Sequence, residues 1–142
     1  MWLSPASRAG SDREAIVGVM VVDDQATFRR AARVLIDATP GFELLGDAEG
    51  GWEALRRADQ LRPDLVLMDV YMPGMDGFEA ARRLTDAHPE CVVVLVSLEE
   101  IEGLGPAVAS SGASAIMRKE ALRPSTLREV WTMYGSAPPA EG

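Results

Sequence analysis

The chain has little cysteine and no long apolar run, and each scarcity excludes a class of protein. Cys91 is the single cysteine among 142 residues, so no internal disulfide can form. It begins an apolar segment, which favours a buried and unreactive thiol. No apolar run approaches the roughly 20 residues that a membrane-spanning helix needs, and the first residues lack the pattern of a signal peptide. We therefore expect a soluble, cytoplasmic protein with no membrane association.

Positive charge is also scarce. The formal net charge is -8, which argues against direct binding of nucleic acid or of anionic membranes. Thirteen of the 14 basic residues are arginines, and Lys119 is the one lysine. A length of 142 residues suits one domain with a substantial core.

Short apolar segments alternate with helical patterns along the middle of the chain, residues 15–134. Residues 1–14 and 135–142 lack such a period, and we predict a mobile tail and a linker-like tail there. Strands are predicted at 16–22, 42–48, 65–68, 91–96 and 114–117. Helices are predicted at 25–38, 52–61, 77–88 and 124–134, with a fifth in 99–110. Such an alternation predicts a doubly wound α/β fold, in which helices cover both faces of a five-stranded parallel sheet.

The segment 99–110 carries the weakest helical pattern. Leu98, Leu104 and Val108 keep helical spacing, but Gly103 and Pro106 interrupt it. In a helix interior, Gly costs about 1 kcal/mol and Pro about 3 kcal/mol relative to Ala. We expect this helix to be short, broken or mobile.

Polar residues stand where the predicted strands end. Asp23 and Asp24 follow the first strand, Asp69 the third, Ser97 the fourth and Lys119 the fifth. In doubly wound sheets, ligands bind beyond the carboxyl ends of the strands. Three carboxylates brought together there are costly unless a cation or a phosphoryl group requires them. Asp24 has a simpler alternative role as a helix cap.

These segments form a pattern that resembles the receiver domain of two-component response regulators. The motifs are VVDD at 21–24, LVLMDVYMPGMDG at 65–77, VVVLVS at 92–97 and GASAIMRKE at 112–120. The stretch PGFELLGDAEGGWEAL at 40–55 is similar to the branch that often carries a C-terminal helix-turn-helix domain. The resemblance implies a flavodoxin-like fold with strand order 2-1-3-4-5.

The resemblance also implies a phosphorelay function. Asp69 would be the phosphoacceptor, taking the group from phosphohistidine on a sensor histidine kinase or phosphotransfer protein. Lys119 and Ser97 would bind phosphoryl oxygens. The chain would catalyse only its own phosphorylation and dephosphorylation, and would not be an enzyme otherwise. Its output would pass to a downstream protein partner or to an effector domain absent from this chain. Apolar residues of the last helix would also allow the chain to form a homodimer.

The implied cofactor is Mg²⁺. Asp24, Asp69 and the backbone carbonyl of Tyr71 would be ligands, and Asp23 would act largely through water. Octahedral oxygen ligation with several waters is the usual preference of this ion.

The chain departs from the family pattern at two positions that concern output. Ile116 stands where an aromatic residue is usual, and Leu98 stands where a small residue is common. We therefore expect the signal to run through the weak 99–110 segment. One alternative function is a receiver-fold interaction module that works without phosphorylation. Another is a metal-dependent phosphatase, but Tyr71 stands where the haloacid-dehalogenase type needs a second Asp.

Overall fold

The computed structural model of the protein describes residues 16–135, and in that part of the chain the predicted alternation of strands and helices is confirmed. The strands are β1 (Val17–Val22), β2 (Phe42–Ala48), β3 (Leu65–Asp69), β4 (Val92–Ser97) and β5 (Ala115–Arg118). The helices are α1 (Ala26–Asp37), α2 (Gly51–Leu61), α3 (Gly77–Ala87), α4 (Gly105–Ser111) and α5 (Pro124–Tyr134), with a 3₁₀ turn at Lys119–Ala121. The tail predicted at 1–14 lies outside the described residues, and so does the tail predicted at 135–142 except for Gly135.

The five strands form one parallel sheet in the order β2-β1-β3-β4-β5, as the resemblance implies. Every residue of β1, β3 and β4 is buried, because helices cover both faces of the central strands. Such strands have no solvent-facing side, so their sequences are nearly continuous apolar runs. The chain reverses its direction of winding between β1 and β3, and their carboxyl ends form the predicted crevice.

Two apolar cores lie on opposite faces of the sheet. On one face α2, α3 and α4 pack through small residues and Leu84 against Met20, Val66 and Leu95. On the other face α1 and α5 contribute a second core, centred on Ile36 and Leu127. Both cores run the length of the central strands, so close packing on both faces of the sheet holds the strand ends in place.

Two details of the helices differ from the sequence predictions. The helical spacing of Trp52, Leu55 and Ala58 predicts that they share one packed side of α2. Trp52 is instead 63% exposed, because the small residues Gly51, Ala54 and Ala58 form the buried face. A Cβ at Gly51 would lie 2.7 Å from Met75 Sδ, so the Met75 side chain would have to shift to admit a larger residue. Small residues thus let α2 approach its neighbours closely, and the bulky ring of Trp52 remains on the exposed side of the helix.

Helix α4 is short, as predicted, but Pro106 does not interrupt it. The helix begins only at Gly105, which places Pro106 in the first turn, where its missing N–H costs nothing. Gly103 precedes the helix with φ +86°, a conformation that ends the β4–α4 loop. Leu98 therefore lies outside the helix and is 58% exposed.

No helix within residues 16–135 is long and apolar enough to span a bilayer.

Candidate functional site

Three carboxylates meet at the carboxyl ends of β1 and β3. Asp23 and Asp24 directly follow β1, and Asp69 is the last residue of β3. One carboxylate oxygen from each lies within 4.8 Å of the others. Asp23 is fully buried and Asp69 is 6% exposed, whereas Asp24 faces solvent. The structure thus brings together the three acidic residues that the sequence singled out.

Lys119 reaches this cluster from the end of β5. Its Nζ lies 2.7 Å from Asp23 Oδ2 and 3.7 Å from Asp69 Oδ1. The lysine side chain is only 7% exposed, so the ion pair is shielded from water. The ammonium is thus closer to Asp23 than to the residue expected to accept a phosphoryl group.

The electrostatics of the cluster are unfavourable for negative charge on Asp69. Burial raises the pKa of Asp69 from its ordinary 3.8 to about 6, and the Asp23 carboxylate adds to the rise. Lys119 lowers this pKa, but not enough to offset burial and the two neighbouring acids. A divalent cation would relieve the same repulsion, and carboxylate oxygens are ligands that Mg²⁺ prefers. The residues present therefore fit a magnesium ion.

Ser97 lies at the end of β4 with its hydroxyl turned into its own loop. Its Oγ accepts a hydrogen bond from the backbone N–H of Glu99 at 2.9 Å and donates one to the Glu99 carbonyl at 3.3 Å. The residue is fully buried. A bond from this hydroxyl to a phosphoryl oxygen would therefore require the Ser97–Glu99 loop to change.

The turn after β3 fixes Asp69 against the start of α3. The Val70 N–H donates to the Val96 carbonyl at 3.0 Å, and the Gly77 N–H donates to the Val70 carbonyl at 2.6 Å. A side chain at Gly77 would overlap the Asp69 carbonyl oxygen and lie 2.8 Å from Val70 Cα. Asp76 caps α3 by accepting a hydrogen bond from the Glu79 N–H at 2.9 Å.

The proposed magnesium ligand at Tyr71 stays a prediction. Tyr71 is 53% exposed, and its backbone N–H lowers the pKa of Asp69 by a hydrogen bond to the ionised carboxylate. Asp24 does not cap a helix, because the N-cap residue of α1 is Gln25. The Gln25 N–H donates a hydrogen bond to Asp23 Oδ1.

Three contacts near the site were not anticipated. The Phe28 ring lies under Lys119, with Nζ 4.5 Å from the ring centroid. Arg29 donates to the Asp23 carbonyl at 2.6 Å and pairs with Asp47 at 3.3 Å. Arg118, the residue before Lys119, holds the loop after Ser97. The only sequence signal for these residues was their position beside the acidic pair or the lysine.

Arg118 connects β5 to the β4–α4 loop. Its guanidinium lies 2.9 Å from Glu100 and 3.1 Å from Glu120, and donates to the Leu98 carbonyl at 3.4 Å. In the sheet register Arg118 stands opposite Ser97. One cation thus ties together the segments that carry Ser97 and Lys119.

A cysteine and a histidine, two residue types that often take part in catalysis, lie away from the site. Burial raises the pKa of the Cys91 thiol to about 12, in agreement with an unreactive cysteine. His88 lies at the end of α3, with its Nε2 2.9 Å from Asp59 Oδ1 at the end of α2. Neither group takes part in the strand-end cluster.

A doubly wound sheet with an acidic cluster and a buried lysine at its carboxyl edge defines the receiver class of fold and site. A family model described as the response regulator receiver domain matches residues 19–131. The chain therefore belongs to the receiver domain family of two-component response regulators.

Similar proteins agree with this membership. The transcriptional regulatory protein YdfI of Bacillus subtilis is 38% identical over 90 residues, which cover 61% of this chain and 42% of YdfI. The response regulator domain of Thermotoga maritima CheB has a TM-score of 0.75 and 28% identity, covering 87% of this chain and 99% of that domain. A LuxR-family two-component response regulator from Aurantimonas sp. SI85-9A1 has a TM-score of 0.76 and 25% identity, covering 87% of this chain and 91% of that chain. The chain spans half the length or less of the curated relatives it matches.

Proposed function

We propose that Asp69 accepts a phosphoryl group from the phosphohistidine of a sensor histidine kinase or phosphotransfer protein, with Mg²⁺ bound beside it. The observation that supports this most strongly is the meeting of three carboxylates and the ammonium of Lys119 at one sheet edge. A purely structural site would gain nothing from a buried acid whose pKa is raised to about 6. Phosphoryl transfer, by contrast, needs such groups for positioning and charge neutralisation.

In the transfer, a carboxylate oxygen of Asp69 attacks phosphorus and forms an O–P bond. The P–N bond to the donor imidazole breaks, and its electron pair remains on the leaving nitrogen. Mg²⁺, held by Asp24, Asp69 and the Tyr71 carbonyl with Asp23 acting through water, would neutralise charge on the carboxylates and on the phosphoryl oxygens.

The remaining two side chains need only short movements. The Lys119 ammonium already lies 3.7 Å from Asp69, so a shift away from Asp23 would bring it to a phosphoryl oxygen. The Ser97 hydroxyl would exchange its bond to the Glu99 carbonyl for one to another phosphoryl oxygen. Both groups would then stabilise charge that they do not contact before the transfer.

We further propose that residues 15–134 form the folding unit, and that its signal passes to a downstream protein or effector domain. Arg118 links the Ser97 loop to β5, which gives that signal a route in the absence of an aromatic residue at Ile116. The movement of the Ser97 loop would release or rearrange the contacts of Arg118.

Intact-mass measurement after incubation with acetyl phosphate and Mg²⁺ tests the acceptor role. We expect one phosphoryl adduct on the wild type, none on Asp69→Asn, and none when EDTA replaces Mg²⁺. Asp86→Asn is a matched control, because Asp86 is an exposed aspartate on α3. An adduct that persists in Asp69→Asn would refute the assignment of the acceptor. No adduct on the wild type, under conditions that label a known receiver, would favour the module that works without phosphorylation.

A further inference from the structure

The side chain of Lys119 is enclosed by two acids and one aromatic ring. Its Nζ lies 2.7 Å from Asp23, 3.7 Å from Asp69 and 4.5 Å from the centroid of the Phe28 ring. An ammonium within about 6 Å of a ring centroid is attracted by the negative face of the ring. The attraction is stronger when water is excluded, and this lysine side chain is only 7% exposed.

The ring is held firmly in place by the start of α1. Phe28 is half-buried and packs against the core shared by α1 and α5. The next residue, Arg29, is bonded to the Asp23 carbonyl at 2.6 Å and paired with Asp47 at 3.3 Å. These contacts fix the first turn of α1 relative to the end of β1, and with it the ring that faces the lysine.

We propose that Phe28 is a positioning residue for phosphoryl transfer, because its ring holds the Lys119 ammonium between Asp23 and Asp69. This inference rests on the proposed function of Asp69. An ammonium has three N–H donors, and a ring attracts it without fixing the direction of any of them. The donors thus remain free to turn from Asp23 to an incoming phosphoryl oxygen while the cation stays shielded.

Removal of the ring has a defined consequence. Leucine at position 28 would preserve apolar packing but would offer the ammonium no negative face. The flexible lysine stem could then carry its strongly hydrated head group toward solvent. We expect Phe28→Leu to lower the rate of phosphorylation by acetyl phosphate about three- to tenfold, the range set by a partly shielded cation–π contact.

The chain allows a direct observation of the contact, because Lys119 is its one lysine. Labelling with ¹³C-lysine therefore gives a single set of side-chain NMR signals. In the wild type, the ring current of Phe28 should shift the Lys119 ε-protons upfield from their position in unfolded chain. The shift should disappear in Phe28→Leu and persist in Phe28→Tyr. Phe42→Leu is the control, since Phe42 is also half-buried against the same core but begins β2 at the far end of the sheet.

A graded experiment separates positioning from packing. Fluorinated phenylalanines placed at residue 28 weaken the negative face of the ring while nearly preserving its shape. We expect the logarithm of the phosphorylation rate to fall steadily with the number of fluorines. A purely structural role would leave the rate unchanged across this series.

The possible results distinguish this inference from the function it rests on. Absence of phosphorylation in the wild type would overturn both. A labelled wild type with an unshifted lysine signal, or with a rate that fluorination and Phe28→Leu leave unchanged, would overturn the role of Phe28 alone. A shifted signal together with a graded loss of rate would establish it.

Discussion

Replacement of Asp69 by asparagine should stabilise the protein while abolishing its proposed function. The variant keeps the shape of the side chain and removes its charge. Burial and the neighbouring acids raise the Asp69 pKa from 3.8 to about 6. At 1.36 kcal/mol per pKa unit, ionised Asp69 costs the fold about 3 kcal/mol. The asparagine amide must still be accommodated beside Lys119, so we expect a net gain of about 1–3 kcal/mol at pH 8.

The pH dependence of this gain follows from the direction of the pKa shift. The folded wild type holds the Asp69 proton more tightly than the unfolded chain, so its stability falls as pH rises from about 4 to about 6. The Asp69→Asn variant has no such proton. Its advantage should therefore be full at pH 8 and smaller by about 2 kcal/mol at pH 4.5.

Urea unfolding in EDTA measures this advantage at the two pH values, with Asp86→Asn as the control for loss of an exposed charge. Added Mg²⁺ should stabilise the wild type more than Asp69→Asn, because the variant lacks one expected ligand. An advantage of equal size at pH 4.5 and pH 8 would refute the electrostatic explanation. So would a variant that is no more stable than the wild type at pH 8.

Three further predictions concern the support of the site and the route of its signal. Gly77→Ala should cost about 1–3 kcal/mol of unfolding free energy and slow phosphorylation, because its methyl group would overlap the Asp69 carbonyl. Wild-type stability in urea together with a wild-type labelling rate would contradict this. Arg118→Met should accelerate hydrogen exchange of amides in 98–104 about threefold or more, whereas Arg128→Met on the exposed face of α5 should not. A beryllofluoride adduct on Asp69 should likewise change exchange between 98 and 118, and unchanged protection there would refute the proposed signal route.

The central strands could be predicted from the sequence because buried strands consist almost entirely of apolar residues. All residues of β1 and β4 are buried, so both are apolar runs, except for the final Ser97 of β4, and their ends were predicted to within one residue. The buried face of each helix is harder to predict from the sequence. Trp52 was placed on the packed side of α2 by its spacing with Leu55 and Ala58, but close approach of α2 to its neighbours selects small residues for the buried face. Pro106 was counted against α4, although its position in the first turn makes it compatible with the helix.

The residues of the site could be predicted, but not their pairing. Strand ends in a parallel sheet meet at one edge, which is why Asp23, Asp69 and Lys119 were expected together. Spacing along the chain does not determine which carboxylate the lysine prefers, and the structure gives Asp23. The contacts of Phe28 and Arg118 depend on side chains from different elements that meet only in space.

The ion pair between Asp23 and Lys119 has a consequence for how the protein is made. The two residues lie near opposite ends of the domain in sequence but 2.7 Å apart in space. Contacts between distant residues form late, because the intervening chain must first be ordered. A nascent chain still on the ribosome would therefore expose Asp69, the proposed acceptor, before Lys119 is made. In the proposed function, Lys119 could bind a phosphoryl oxygen only after the last strand joins the sheet.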